Sequence, residues 1–296
     1  MFSQPGQGAG SAATAATAAG PAALDALKEE IDGLIVDAIN NQPRSLQTRI
    51  GPSEMGIPCD LRLGYKLAGH PVCNTEDRMP WKPWLGTQAH DGMATIFQLA
   101  NAKFPPRPNG DPRFLVEYRV DVGVVNGEDV DGQCDLYVDG LVIDWKFTGG
   151  DQLRKYKKNG PGPQYEKQAH LYAAGWEAKG YPVHTVAVYF LPRDQEFRQR
   201  YFWHAAYDRQ TAAGTVEKVD GIAKLVAALG PAAFPLLKTA NAYCQYCPWL
   251  RRGSTDLATG CAGHPDATPS DSYDPFRDLI PSENGKPDLF ANLLAK

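Results

Sequence analysis

Three residues within a short stretch have types and spacing that suit chemistry: Asp135 in QCDLYV, and Asp144 and Lys146 in LVIDWKF. Between these strand-like runs stands Asp139-Gly140, and Asp-Gly flanked by strand formers is a strong signal for a two-residue hairpin turn. With that turn, pairing runs outward from 138 with 141, through 137 with 142 and 136 with 143, and so predicts Asp135 opposite Asp144. Directly opposed residues have Cβ atoms about 4.5–5.5 Å apart, where two carboxylates repel unless a positive group lies between them. A divalent cation suits that place, and carboxylate oxygens select Mg2+ or Mn2+. The alternation of a strand sets Lys146 on the face of Asp144 and turns Ile143 and Trp145 away. Two carboxylates and an ammonium converging in this way fit phosphodiester hydrolysis, which needs an activated water and positive charge for the transition state. The same three residues equally suit an exposed hairpin whose polar face is merely solvated.

The elements that must position these residues surround them in the sequence. FLVEYRVDV (114–122) reads as a further strand, on which Glu117 is either an accessory acid or a surface carboxylate. A helix is expected from about 86 to 102, another over QYEKQAHLYAAGWEAKG (164–180), and a third over 207–229. HTVAVYFLP (184–192) and RQRYFWHAA (198–206) read as strands. The order predicts an α/β fold, a mixed central sheet flanked by helices. Upstream, AALDALKEEIDGLIVDAI repeats apolar residues at helical spacing from Pro21 onward. Residues 1–22 form a Gly/Ala-rich tail that is expected to be disordered, because small side chains cannot repay the entropy of ordering. The segment 41–85, rich in Pro and Gly, reads as irregular with short helical turns, and 264–296 as an extended tail. One domain is therefore expected over 23–263.

Composition restricts the partners. A net charge of −4 argues against a general nucleic-acid coat, so any contact with DNA must be local. Its candidate is RKYKK, with Arg154, Lys155, Lys157 and Lys158, although charge runs are often only solvated faces. The aromatic run WKPW (81–84) is either a base-stacking surface or core. No stretch approaches the roughly 20 apolar residues that cross a bilayer, and the N-terminus lacks the basic start and apolar centre of a secretory signal. A cytoplasmic location is expected. The six cysteines, at 59, 73, 134, 244, 247 and 261, then point to metal ligation rather than disulfides.

Four short elements occur in order: Gly86-x-x-x-His90, Gly132-x-x-Asp135, Asp144-x-Lys146 and Gln168-x-x-x-Tyr172. Together they resemble the RecB-like branch of the PD-(D/E)XK nuclease superfamily over residues 86–172. The resemblance implies a restriction-endonuclease-like core at about 86–206. It also implies His90 and the backbone carbonyl of Trp145 as metal ligands beside Asp135 and Asp144, with Lys146 as the catalytic lysine. Gln168 and Tyr172, one helical turn apart, are then the residues that place the DNA strand or scissile phosphate.

Cys244-x-x-Cys247, with Cys261 after it and Cys59 far upstream, fits zinc, iron–sulfur or redox use when taken alone. Coupled to the nuclease motifs, the pattern resembles the CRISPR-associated Cas-four iron–sulfur exonuclease family. That resemblance implies a structural [4Fe–4S] cluster on Cys59, Cys244, Cys247 and Cys261, stapling 50–75 to 239–263. The 13 residues between Cys247 and Cys261 exceed the short gap usual there, and an inserted loop, RRGSTDLATG, accounts for them. Cys73 is a weaker rival to Cys59, and Cys134 reads as a core thiol. The implied function is a Mn2+- or Mg2+-dependent DNA exonuclease on single-stranded ends, with 5′ to 3′ polarity, in recombination, repair or foreign-DNA processing. The implied partners are DNA, further copies of the chain, and a recombination or CRISPR-adaptation protein. A non-catalytic DNA-binding or complex-forming scaffold, or a zinc-stabilised interaction module, stays open beside it.

Overall fold

The computed structural model describes residues 21–41, 49–74 and 80–265. The expected disordered tail, apart from Pro21 and Ala22, and the expected extended tail beyond Pro265 lie outside the described residues. The chain divides into two compact units, residues 1–47 with 79–81, and residues 48–78 with 82–296. In the smaller unit the periodic run forms helix α1 (Pro21–Asn40), with Leu24, Leu27, Ile31 and Leu34 exposed.

The larger unit is built on one five-stranded sheet. Its strands β1 (Leu115–Val125), β2 (Glu128–Val138), β3 (Leu141–Thr148), β4 (Thr185–Pro192) and β5 (Tyr201–Ala206) lie side by side in chain order. All neighbours are antiparallel except β3 and β4, which run parallel, so the sheet is mixed as expected. Asp139 (φ 47) and Gly140 (φ 87) both adopt positive φ, the requirement of the type I′ turn that matches strand twist. Asn126 (φ 50) and Gly127 (φ 81) do the same between β1 and β2. A parallel pair needs a crossover. Here it consists of α5 (Gly150–Asn159), an addition to the expected elements that contains RKYKK, and α6 (Gly162–Ala178).

Helices cover both faces. On one, α4 (Trp81–Ala100) sets Ala94 and Phe97 against Ile143 and Trp145, with the Phe97 and Trp145 rings stacked 5.5 Å apart. It begins ahead of the expected residue 86, so WKPW forms its first turn, where a proline removes no intrahelical hydrogen bond. On the other face α6 packs on β1, β3 and β4, and buries Trp176 completely against Tyr137, centroids 4.8 Å apart. The segment 41–85 contributes α2 (Pro52–Met55) and α3 (Asp60–Leu67) to this side, with Met55, Leu61 and Tyr65 in the main core. Helix α7 (Arg209–Leu229) starts where the Asp208 carboxylate accepts the N–H of Gln210 at 2.9 Å. Against the expectation from sequence, Arg209–Leu236 is long and apolar enough to cross a membrane by length and composition. Val219, Ile222, Ala223 and Val226 of this stretch are buried in the main core.

Candidate active site

The β2–β3 ladder holds the predicted pairs 138–141, 137–142 and 136–143, and ends there. Asp135 and Asp144 do not form the expected fourth pair. A buried N–H beyond the last rung must still find an acceptor. Asp135 supplies it, its Oδ2 accepting the backbone N–H of Trp145 at 2.6 Å. Its Oδ1 lies 3.2 Å from Nδ1 of His90 on α4. Asp144, 1% exposed, accepts from Nε2 of Gln168 on α6 at 2.8 Å through Oδ1. Its Oδ2 lies 2.5 Å from Nζ of Lys146. Groups from helices on both faces therefore meet where β2 and β3 part.

Glu117 joins them from β1. Val116 pairs with Leu136 and Tyr118 with Cys134, so Glu117 stands opposite Asp135, but with a left-handed φ of 56. For a residue with a Cβ that conformation costs roughly 1–2 kcal/mol. It accompanies a close grouping: one ligand atom each from His90, Glu117 and Asp135 lie within 4.8 Å of one another. The grouping differs from the expected set, because Glu117 is in it while Asp144 turns to Lys146 and Gln168. Two carboxylates and an imidazole are a donor set suited to Mg2+ or Mn2+. No pattern in the sequence marks a left-handed residue within a strand, which is why Glu117 was indistinguishable from a surface acid.

The local field reflects this crowding. Burial, reinforced by Asp135 and opposed by Lys146, raises the Asp144 carboxyl to about 6. His90 is lowered by burial, but the hydrogen bond to Asp135 and the charges of Asp135 and Asp144 leave it raised on balance. Lys146 likewise loses to burial less than it gains from Asp144 and Asp135, and is raised. Gln168 (3% exposed) and Tyr172 (5%) are buried beneath the acids, and burial with the charges of Asp144 and Asp135 raises the Tyr172 phenol. Arg154, Lys155, Lys157 and Lys158 stand exposed on α5, with Arg154 paired to Asp151.

The expected cysteines are brought together. Cys59, Cys244, Cys247 and Cys261 line one cavity with Leu61, Arg62 and Tyr65, and none of the six cysteines forms a disulfide. The segments that carry them are tied by hydrogen bonds: the Leu61 N–H donates to the Lys238 carbonyl at 3.1 Å, and the Asn74 side-chain amide to the Cys247 carbonyl at 2.9 Å. Backbone N–H groups already donate to sulfur, Gly263 to Cys261 Sγ at 3.3 Å and His264 to Cys244 Sγ at 3.4 Å. No three thiols among the described residues lie within 4.8 Å of one another. Cys73 does not line the cavity; its N–H donates to the Pro248 carbonyl at 3.1 Å. Cys134 is fully buried in the main core, where burial pushes its thiol up.

No protein-family model and no curated protein matches the chain. Among solved structures it is similar to a protein called SSO0001, at 14% identity and a TM-score of 0.44 over 75% of this chain and 94% of that one. It is also similar to LHK-Exo, an alkaline exonuclease from Laribacter hongkongensis, at 13% identity and 0.42 over 61% of this chain and 89% of that one. The same exonuclease in complex with dAMP gives 12% and 0.36 over 60% and 91%. At these values the functional reading rests on the site itself.

Proposed function

We propose that the chain is a Mn2+- or Mg2+-dependent deoxyribonuclease that degrades DNA from single-stranded ends. The observation that carries this reading is the meeting of His90, Glu117 and Asp135 within 4.8 Å, beside the buried Asp144–Lys146 pair. His90, Glu117 and Asp135 would hold the ion, with Asp144 and the Trp145 carbonyl as further ligands. A bound divalent ion supplies an activated water and neutralises charge on the phosphate. The chain's own groups do the rest. The Trp145 N–H fixes the direction of the Asp135 carboxylate, and Gln168 fixes that of Asp144. Lys146, kept protonated by the two acids, is the cation that orients the attacking water or meets charge developing on the phosphoryl oxygens. The exposed cations of α5, which begins two residues after β3 ends, would attract the strand's phosphates locally in an otherwise acidic molecule. Gln168 acts in this reading mainly from beneath, by holding Asp144, with Tyr172 buried one turn further along α6.

The cysteine-lined cavity supports a [4Fe–4S] cluster over zinc. A single zinc ion with Zn–S bonds of about 2.3 Å would bring its sulfurs to about 3.8 Å of one another. Thiols that share a cavity yet stay more widely spread suit a polynuclear cluster, and N–H donors to sulfur are usual around one. Its part is structural, joining the region of residue 59 to 244–261 around a catalytic core at about 86–206. The 5′ to 3′ polarity and the setting in recombination, repair or foreign-DNA processing follow from the family resemblance.

The test uses protein purified without oxygen, end-labelled single-stranded DNA and Mn2+, beside Lys146→Ala. Wild type should degrade the DNA, and the variant should lose about 100-fold or more in kcat. No degradation, or equal degradation by both, overturns the assignment. A colourless preparation carrying zinc overturns the cluster alone.

A further inference from the structure

An aromatic ring as well as a carboxylate holds Lys146. Its Nζ lies 2.5 Å from Asp144 Oδ2 and 5.0 Å from the centroid of the Tyr165 ring. Tyr165 is on α6, three residues ahead of Gln168, whose amide takes the other Asp144 oxygen. Residues three apart share a helix face, so α6 grips both members of the pair. The Tyr165 ring is fixed in turn by Tyr156 of α5, centroids 5.9 Å apart, and by Phe190 of β4 at 6.1 Å. Tyr156 stacks on Phe190 at 4.2 Å. Ring contacts therefore run unbroken from β4 through Tyr156 and Tyr165 to Lys146.

We infer that Tyr165 is a positioning residue for Lys146, and that Tyr156 of α5 holds the Tyr165 ring in place. The inference rests on the nuclease reading above. The electron-rich face of the Tyr165 ring favours an ammonium held beside Asp144 over one swung toward water. The ring keeps its place while Tyr156 packs on it.

The test compares the full chain, with its native metal content, with Tyr165→Leu, Tyr165→Phe and Tyr156→Leu. Two readouts are taken: steady-state kinetics on a single-stranded oligonucleotide with Mn2+, and NMR of protein labelled at lysine 13Cε with Mg2+. The Lys146 signal is assigned by its absence from Lys146→Arg. Tyr165→Leu should lower kcat about tenfold with KM within about twofold, and return the ring-shifted Lys146 signal to the position of an ordinary lysine. Tyr165→Phe keeps the ring and loses only the hydroxyl, so it should recover kcat to within about threefold of wild type. Tyr156→Leu should show a smaller loss than Tyr165→Leu, and move the Lys146 signal in the same direction. An unmoved Lys146 signal and unchanged kcat in Tyr165→Leu overturn the positioning role. Tyr156→Leu identical to wild type in both readouts overturns its part in holding the ring. Because the NMR signal reports on Lys146 whether or not DNA is cut, a wild type no more active than Lys146→Ala sinks the nuclease reading separately.

Discussion

At the scale of single residues, Glu117 and Asp144 divide the work that the sequence alone assigned to an opposed acid pair. Glu117 spends backbone energy to reach the His90–Asp135 group. Glu117→Gln, which keeps shape and removes charge, should weaken Mn2+ binding about 10–100-fold, measured by calorimetric titration. Unchanged affinity would remove Glu117 from the ligand set. Asp144 makes the site sensitive to pH. Burial holds its folded-state value at about 6, above that of an unfolded chain, so its contribution to the metal-free fold is complete below about pH 4 and is lost as pH rises through about 6. A divalent ion offsets the loss by binding ionised carboxylates, and requires His90, also raised, to give up its proton. The Tm gained on adding Mg2+ should therefore be larger at about pH 8 than at about pH 5, by thermal unfolding with and without the ion. Equal gains would mean that neither group engages it. His90, Asp135, Asp144 and Lys146 could be picked out beforehand because motif spacing carries them. Glu117 could not, since its aim comes from a φ angle that no residue pattern encodes.

Among the elements, α6 carries the greatest responsibility: Tyr165, Gln168 and Tyr172 lie on its site-facing stripe, and Gly175 lets it approach β1. A Cβ at Gly175 would meet the Val120 Cβ at 2.8 Å and the Asp121 carbonyl oxygen at 2.9 Å. Gly175→Ala should thus destabilise by about 1–3 kcal/mol in urea unfolding, although alanine is the better helix former. A stabilised variant would mean that α6 can move outward freely. The Asp139-Gly140 hairpin was readable because its turn chemistry is local. Asn126-Gly127 carried the same signal, and the two turns have the same conformation. By contrast α5 has no apolar period to announce it, since only Leu153 and the half-buried Tyr156 turn toward the core. The parting of β2 and β3 is invisible locally, because what ends the ladder is a carboxylate accepting a backbone N–H across the gap.

For the molecule as a whole, the mixed sheet followed from the order of strand and helix patterns, whereas the division that sets α1 in its own unit did not, because helical spacing does not say what a helix packs against. The cysteines join distant parts of the larger unit around one cavity. On the proposed cluster reading, Cys247→Ser should lower Tm by about 5–10 °C and bleach the protein, followed by visible absorbance during melting. An unchanged Tm would show the cavity to be dispensable. The topology also orders events in time. His90, Glu117 and Asp135 belong to α4, β1 and β2, which are contiguous in the chain and joined by local contacts. Tyr165 and Gln168 arrive only after the crossover, and the C-terminal cysteines arrive last. A chain emerging from the ribosome can therefore gather the ligands of an ion before it can place its lysine. On the proposed nuclease reading, a chain that stops short of α6 would hold the metal ligands without the residues that steady Lys146 and Asp144.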